Sequence, residues 1–442
     1  MTNFRRILIW AIAGVLGMIV LLAIVARIAF GVYLKSDAFR RKIQNATAHA
    51  LKAEGEFTPL QLNGGNFYSD RFVARGNPGT FFSQLQADQI RADFDWRGLL
   101  HRAWKIDELN VQQLDVRFAE RSPRPPTEAA PTPGELRPVP KTSGWKLDLR
   151  RVKVEKSSWH WGASDQPAGN ITGSTLILTP TYDAWLIDAG GGQISQKGWP
   201  ELLIESAKLR YTSSSLFVTE SVLRNGVGRI VVSGEIDFNR AADLRAQIDD
   251  LPIGPLLPAD WRYRLNGKLA GTARVVAPLP DGTLHVEGSM RLVDGHVEAL
   301  PILNQIATFT RTDRFRNLVL NKASMNFTRD AKMFTGKDLV LESEGLLRVE
   351  GAFTVVNDQI DGVLQIGVTA ASLQWLPGSQ ARVFTVAHDG YYWTPLRVTG
   401  PVEHPVEDLT PRLVAAAAGE LLENSQDTLM DAAKTILDLI PR

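Results

Sequence analysis

One short pattern recurs between residues 229 and 402, and it constrains the fold more than any other feature of the chain. The pattern reads apolar, any, glycine, any, apolar, any, apolar, and three full copies begin at Val232, Val286 and Val349. Partial copies begin at Leu265 and Val398. Because successive side chains of a β-strand point to opposite faces, this alternation is typical of strands with one buried face. The pattern therefore predicts a mainly β fold.

The residues that follow the second and third copies indicate how the strands are joined. Asp294-Gly295 and Asn357-Asp358 are favoured in tight turns, and a new alternating run covers residues 360–368. Each copy is therefore predicted to belong to a hairpin. The copies begin 54 and 63 residues apart (286 − 232 and 349 − 286). This spacing is too irregular for a propeller, but it is compatible with an array that extends hairpin by hairpin.

Three glycines, Gly234, Gly288 and Gly351, lie in phase with the apolar residues of the full copies and therefore on the predicted buried face. Glycine inside a strand usually marks a bend, or the close approach of another backbone or a ligand. We interpret these three as sheet-bend glycines and predict an elongated, bent antiparallel β-sheet that forms a trough. The alternative is an ordinary β-sandwich in which the glycines let two sheets approach closely.

Composition excludes several functional classes for this chain of 442 residues. Its 49 lysine and arginine residues almost balance its 48 aspartate and glutamate residues, so the formal net charge is +1 and no overall field attracts nucleic acid. The chain has no cysteine, which excludes disulfides, thiolate metal sites and cysteine nucleophiles.

The sequence also lacks recognisable catalytic motifs. The seven histidines are scattered without helical metal-ligand spacing, and there is no nucleophile elbow, phosphate-binding loop or dinucleotide fingerprint. We therefore predict that the chain is not an enzyme, uses no cofactor and has no metal site. An anchored hydrolase is the least supported alternative.

Residues 7–26 form an unbroken run of 20 uncharged, mostly apolar residues. As a helix, this run would cross a hydrocarbon core of about 30 Å. We predict a permanent transmembrane anchor over residues 1–34, and a cleaved signal peptide is the alternative. Positive charges are more numerous after the run, which favours a cytoplasmic location for the rest of the chain. Long domains, however, cross membranes largely regardless of such charges.

The segments on either side of the main array differ in composition. Residues 35–121 begin with an amphipathic helix that Ser36 can cap, and they continue as alternating β segments. This helix could rest on a membrane surface or pack on the end of a sheet. Residues 122–143 contain seven prolines and are predicted to form a linker or exposed loop that separates the N-terminal part from the array.

Residues 144–408 are predicted to form the repetitive β array, with one internal helix over residues 300–308. Residues 409–442 follow as an amphipathic helix whose start is marked by Thr410 at the N-cap and Pro411 in the first turn. Because the polar side of this helix is mainly acidic, we expect it to close the open end of the array or to dock on a partner.

The anchor, the helix from Ser36, the glycine-centred strand units and the stretch from Leu300 to Leu341 together resemble the AsmA-like family of envelope proteins. The resemblance covers nearly the whole chain as a pattern, without a catalytic motif. It implies a single-pass protein of the bacterial inner membrane with most of the chain in the periplasm. It also implies a long β trough with an apolar interior that moves phospholipid to the outer membrane or maintains that membrane. The chain is short for this family.

We therefore expect a hydrophobic groove that binds or conducts phospholipid towards the outer membrane and supports its biogenesis or integrity. Such a groove would keep acyl methylene groups out of water, at about 0.8 kcal/mol each. The expected lining residues are Ile236, Phe238, Met290, Leu292, Phe353, Val355, Leu364, Ile366 and Val368. The alternative is an anchored structural or adaptor β protein with a closed core, whose C-terminal helix recruits an envelope protein. Neither hypothesis involves nucleic acid.

Overall fold

A computed structural model describes residues 53–59, 61–63, 66–77, 82–95, 103–118, 146–162, 167–197, 199–238, 240–278, 283–298, 315–374, 378–416 and 418–419. These residues form mainly β-strands, as the alternating sequence pattern predicts. The chain divides into two compact units. The first comprises Met1–Lys197 and Ser206–Tyr211, and the second comprises Gly198–Glu205 and Thr212–Arg442.

The strands of the first unit are β1 (Ala53–Phe57), β2 (Gln61–Asn63), β3 (Asn66–Gly76), β4 (Phe82–Asp95), β5 (Ala103–Phe118), β6 (Lys146–Leu149), β7 (Val152–Gly162), β8 (Pro167–Pro180), β9 (Trp185–Gly190) and β10 (Gln193–Gln196). β11 (Leu202–Tyr211) contributes residues to both units. The core of the first unit is a cluster of buried apolar residues that includes Phe72, Phe82, Val116 and Val154.

The predicted linker does not mark the boundary between the two units. β5, which precedes residues 122–143, pairs in parallel with β6 and β7, which follow them. Parallel pairing requires a long crossover connection, and the proline-rich segment has the length for one. The other strand pairs of the described residues are antiparallel, so the pairing is mixed rather than purely antiparallel as predicted.

The strands of the second unit are β12 (Ser215–Asn225), β13 (Gly228–Asp237), β14 (Ala241–Pro252), β15 (Leu265–Pro278), β16 (His285–Glu298), β17 (Asn317–Leu320), β18 (Lys322–Asp330), β19 (Met333–Ser343), β20 (Leu347–Val356), β21 (Gln359–Val368), β22 (Val386–His388), β23 (Tyr391–Pro401) and β24 (Val406–Glu407). The ladder runs antiparallel from β12 through β13, β14, β15, β16, β18, β19, β20 and β21 to β23. β17 pairs with the last residues of β16, on the same edge of β16 as β18. β22 and β24 both pair with β23.

Three aspartates interrupt alternate strands of this ladder. Asp250 on β14, Asp294 on β16 and Asp338 on β19 have positive φ angles of 51°, 52° and 51°, and each lies at a shift of strand register. Aspartate is one of the few residues that tolerate this conformation. The predicted turn at Asp294-Gly295 is therefore wrong, because both residues lie in a bulge within β16.

The predicted turn at Asn357-Asp358 is confirmed. These residues connect β20 to β21, whose ends pair as Val356 with Gln359, and both have positive φ (49° and 60°). Positive φ at both central residues is characteristic of type I′ turns, which commonly form the two-residue loops of β-hairpins.

In the described part of the second unit, the helical segments are short. Two 3-10 turns, Gly254–Leu256 and Ala259–Trp261, lie between β14 and β15. Helices α1 (Ala370–Leu373) and α2 (Ser379–Arg382) lie between β21 and β22. A third helix, α3, covers residues 409–416.

The start of α3 differs from the predicted cap. The Glu407 carboxylate accepts hydrogen bonds from the backbone N–H groups of Leu409 (2.6 Å) and Thr410 (2.9 Å). A carboxylate at a helix N-terminus pairs with free N–H donors and with the positive end of the helix dipole. Glu407, rather than Thr410, therefore caps this helix.

Several predicted segments lie outside the described residues. These are the anchor over residues 1–34, the helix from Ser36, the segment 122–143, the helix over residues 300–308 and the end of the C-terminal helix beyond residue 419. Within the described ranges, no helix is both long enough and apolar enough to cross a membrane.

Candidate functional site

One face of the second unit's ladder is apolar from β13 to β23. Directly paired residues of antiparallel strands share a face, as do alternate residues along a strand, so the register assigns each side chain to a face. The face that carries Ile236 is called the apolar face below. Its residues include Val232, Gly234, Ile236, Leu244, Ala246, Ala273, Val275, Val286, Gly288, Met290, Leu292, Met325, Phe327, Arg329, Phe334, Gly336, Leu341, Val349, Gly351, Phe353, Val355, Ile360, Gly362, Leu364, Ile366, Val368, Thr394, Leu396 and Val398.

The opposite face is polar, and several of its charges pair across strands. Arg274 Nη2 lies 2.8 Å from Asp243 Oδ2, and Arg274 Nη1 lies 3.6 Å from Glu287 Oε1. His285 Nδ1 lies 2.5 Å from Asp330 Oδ1. The hydrogen bond from Arg274 lowers the pKa of Asp243, and the hydrogen bond to Asp330 raises the pKa of His285. These side chains are well exposed, so each pair contributes little to stability.

At one end of the strands the apolar face is covered by the chain itself. Ile366 and Val368 on β21 are 3% and 1% exposed, and they share a core cluster with Leu409 and Leu413 of α3. Arg412 of α3 donates a hydrogen bond of 2.9 Å to Thr394 Oγ1 on β23. This region is called the covered end. Its cluster also includes Leu347 of β20, and Phe315, Leu346, Leu373, Val383 and Phe384 from the adjoining loops and helices.

At the opposite strand ends, no described segment covers the apolar face to a similar degree. Val286, Phe334, Val355 and Ile360 form the outermost row of this face and are only half-buried. This region is called the uncovered end. Apolar residues in and beside its hairpin turns are between 40% and 46% exposed, namely Phe238, Leu284, Met333 and Val356.

Phenylalanine rings lie over glycines in the middle of the apolar face. A Cβ atom at Gly288 would lie 2.9 Å from the Phe327 ring, and one at Gly336 would lie 2.4 Å from the Phe353 ring. The rings of Phe327 and Phe334 have centroids 5.9 Å apart, and those of Phe334 and Phe353 are 6.0 Å apart. The glycines therefore leave room for a row of aromatic rings that covers the sheet.

Two of the predicted bend glycines also have backbone conformations that other residues rarely adopt. Gly234 and Gly351 have φ angles of 140° and 143°. A Cβ atom at Gly351 would lie 2.5 Å from the carbonyl oxygen of Val363 on the neighbouring strand. Gly288 has no such φ, but a Cβ atom there would lie 2.1 Å from the carbonyl oxygen of Thr272. All three positions thus exclude a side chain.

The nine predicted lining residues fall into three groups. Ile236, Met290, Phe353 and Val355 are half-buried on the apolar face, and Phe238 lies just beyond the end of β13 and is exposed. Leu292 and Leu364 are also half-buried but pack against the core of the covered end. Ile366 and Val368 belong to that core, so they are structural residues rather than the lining of an open groove.

Sequence reasoning missed several residues of the apolar face because they lie outside the glycine-centred copies. Leu244 on β14, Val275 on β15 and Phe327 on β18 lie on this face by register. Period-two alternation alone would have identified Leu244, since residues 242–248 alternate strictly.

The loop between β14 and β15 contacts a distant part of the same unit. Trp261 Nε1 donates a hydrogen bond of 3.0 Å to the carbonyl oxygen of Val402, and His404 Nε2 lies 3.9 Å from Asp260 Oδ2. Trp261 precedes β15 on the side of the covered end, whereas Val402 follows β23 at the uncovered end. The loop therefore joins opposite strand ends of the ladder.

Among the described residues, no group of three or more histidine, aspartate or glutamate side chains is arranged to hold a metal ion. No protein-family model matches the chain, and the searches of curated proteins and of solved structures find no significant match either.

Proposed function

We propose that the apolar face binds the acyl chains of phospholipid, and that the protein is an inner-membrane-anchored periplasmic protein that conducts phospholipid towards the outer membrane. The observation that carries this proposal is the half-buried apolar surface at the uncovered end. Each methylene group removed from water stabilises a bound acyl chain by about 0.8 kcal/mol. The membrane anchor and the periplasmic location rest on the sequence pattern and its resemblance.

The contact between Trp261 and Val402 supports a strongly bent sheet, as a groove requires. Six ladder steps separate β15 from β23. In a flat sheet these steps alone would place the two strands roughly 29 Å apart, at about 4.8 Å per step. The bulges at Asp250, Asp294 and Asp338 also favour bending, because a bulge kinks its strand and increases the local twist.

The second candidate function is an anchored adaptor with a closed core. The covered end favours it, because Ile366, Val368 and Leu409 form an ordinary protein interior there. However, Leu409 and Leu413 already pack against the chain's own sheet, so these side chains of α3 are not free to recruit a partner.

Site-specific photocrosslinking in the full-length chain separates the two candidates. A photoreactive phenylalanine analogue replaces Phe353 on the apolar face or, as the matched control, Val363, which is 63% exposed on the opposite face. The chains are expressed in a bacterium with two membranes, irradiated and analysed by mass spectrometry. We expect phospholipid adducts at residue 353 and few at residue 363. An absence of adducts at 353, or equal yields at both positions, would contradict the proposal.

A further inference from the structure

We infer that Arg329 binds the phosphate of a lipid headgroup at the uncovered end of the apolar face. This inference rests on the proposed function and deepens it by naming the chemistry of the headgroup and the direction in which the lipid lies. Arg329 is the only charged side chain among the described residues that the register assigns to the apolar face from β13 to β23.

The position of Arg329 is defined by its strand neighbours. It pairs with Val286 on β16 and with Phe334 on β19, so its side chain projects from the outermost row of the apolar face. The residue is exposed, and its side chain makes no hydrogen bond or ion pair with a described residue. By contrast, Arg274 and Arg348, on the opposite face, each pair with two carboxylates.

An unpaired guanidinium beside apolar side chains suits a ligand that is both apolar and anionic. The guanidinium group presents a planar fork of donors that matches two phosphate oxygens, and such charge-assisted bonds are about twice as strong as neutral ones. A free inorganic phosphate would use only the fork. A phospholipid would use the fork and the apolar row next to it.

The dimensions of the apolar face fit this arrangement. On β20, Val355 lies in the row of Arg329, and Val349 lies six residues away next to the covered end. Six residues of a strand span roughly 20 Å at about 3.3 Å per residue. One leaflet of a bilayer core is about 15 Å thick. An acyl chain can therefore lie on the face with its headgroup at Arg329 and its tail towards the covered end.

The test uses the purified full-length chain with the photoreactive phenylalanine analogue at position 355. It is incubated with vesicles that contain labelled phosphatidylglycerol, or labelled diacylglycerol with the same acyl chains but no phosphate. Arg329→Gln removes the charge and Arg329→Lys keeps it. Arg291→Gln is the matched control, because Arg291 lies on the neighbouring strand, on the opposite face, exposed and without an ion pair among the described residues.

We expect Arg329→Gln to lower the phosphatidylglycerol adduct about tenfold, as the loss of one hydrogen bond to a charged group implies. The diacylglycerol adduct should not change. Arg329→Lys should retain part of the yield, and Arg291→Gln should retain all of it. If Arg329→Gln lowered both adducts equally, or neither, the headgroup contact would be overturned while lipid binding itself still stood.

Two further outcomes are informative. If inorganic phosphate, at the concentration of the vesicle phosphate, removed the part of the yield that depends on Arg329, the site would be a general anion site and the lipid-headgroup assignment would fail. If neither lipid crosslinked to residue 355 in the chain that retains Arg329, the proposed function would fail together with the inference.

Discussion

The two ends of strand β21 present the same apolar pattern to very different surroundings. Ile366 and Val368, at the covered end, lie under α3 and the loops around it, and they are almost completely buried. Ile360 points to the same face at the uncovered end and is only half-buried. The alternation along a strand determines which face is apolar. Whether that face becomes core or an accessible surface depends on the segments that pack on it.

The largest expected effect is at the covered end. Ile366→Asp places a carboxylate among the buried apolar side chains of the core beneath α3. We expect the free energy of unfolding to fall by about 4 kcal/mol or more, since a charge placed in an apolar core is among the most destabilising changes. Denaturant unfolding of the full-length chain, followed by circular dichroism, measures this change.

The matched control on the same strand is Val363→Asp. Val363 lies on the opposite face and is well exposed, so the substitution should change the free energy of unfolding by less than about 0.5 kcal/mol. Equal losses for the two variants would mean that the covered end is not a core.

A smaller effect on stability is expected for Phe353→Asp, nearer the uncovered end. The ring lies over Gly336 and against the ring of Phe334, and losing these contacts should cost about 1–2 kcal/mol. The same substitution places a negative charge on the proposed acyl path. We therefore expect the phospholipid adduct at residue 355 to be lost while the chain stays folded.

The comparison of Phe353→Asp with Ile366→Asp can also contradict the proposal. If Phe353→Asp lowered the free energy of unfolding as much as Ile366→Asp, the uncovered end would also be a closed interior. The bent groove would then be wrong, and the β-sandwich with an adaptor role would replace it.

The smallest expected effect concerns the polar face at the uncovered end. Asp330 raises the pKa of His285 by hydrogen bonding to its ring, so protonated His285 is favoured in the folded state. Since the folded pKa lies above the unfolded value of about 6.5, this contribution is complete below that pH and is lost as the pH rises through the folded pKa. Ile366, Val368 and Leu409 of the covered end carry no titratable group, so their burial should contribute no such dependence.

Thermal unfolding at several pH values between 5.5 and 8.5 checks this prediction. His285→Gln should remove the part of the pH dependence of thermal unfolding that arises from His285. The control is His388→Gln, which changes an exposed histidine near the covered end and should leave that pH dependence unchanged. An unchanged slope in the His285→Gln variant would exclude the contribution of this pair.

The sequence was most informative where a local rule decides the structure. Alternation at Val349 and Phe353 identified β20 and its apolar side, and Asn357-Asp358 identified the hairpin that follows. Gly351 was recognisable as a special position because a side chain in phase with the apolar residues was missing.

Features that depend on contacts distant in sequence were not predictable from a local pattern. The parallel pairing of β5 with β7 joins strands on both sides of a proline-rich segment that carries no pairing signal. The bulge at Asp294 has the same residues as a tight turn, and only the neighbouring strands decide between them. The burial of Ile366 depends on where α3 docks, which its strand cannot encode.

The regular spacing of the three bulges defines a segment of the ladder that could be repeated. Asp250, Asp294 and Asp338 stand 44 residues apart in each case (294 − 250 and 338 − 294) and two ladder steps apart. Duplicating one such segment would lengthen the ladder by about 10 Å and would keep the kink on every second strand. The first and last strands of the ladder would keep the strands with which they now pair. Duplication of such a segment within the gene would therefore give a longer ladder without changes at its two end strands.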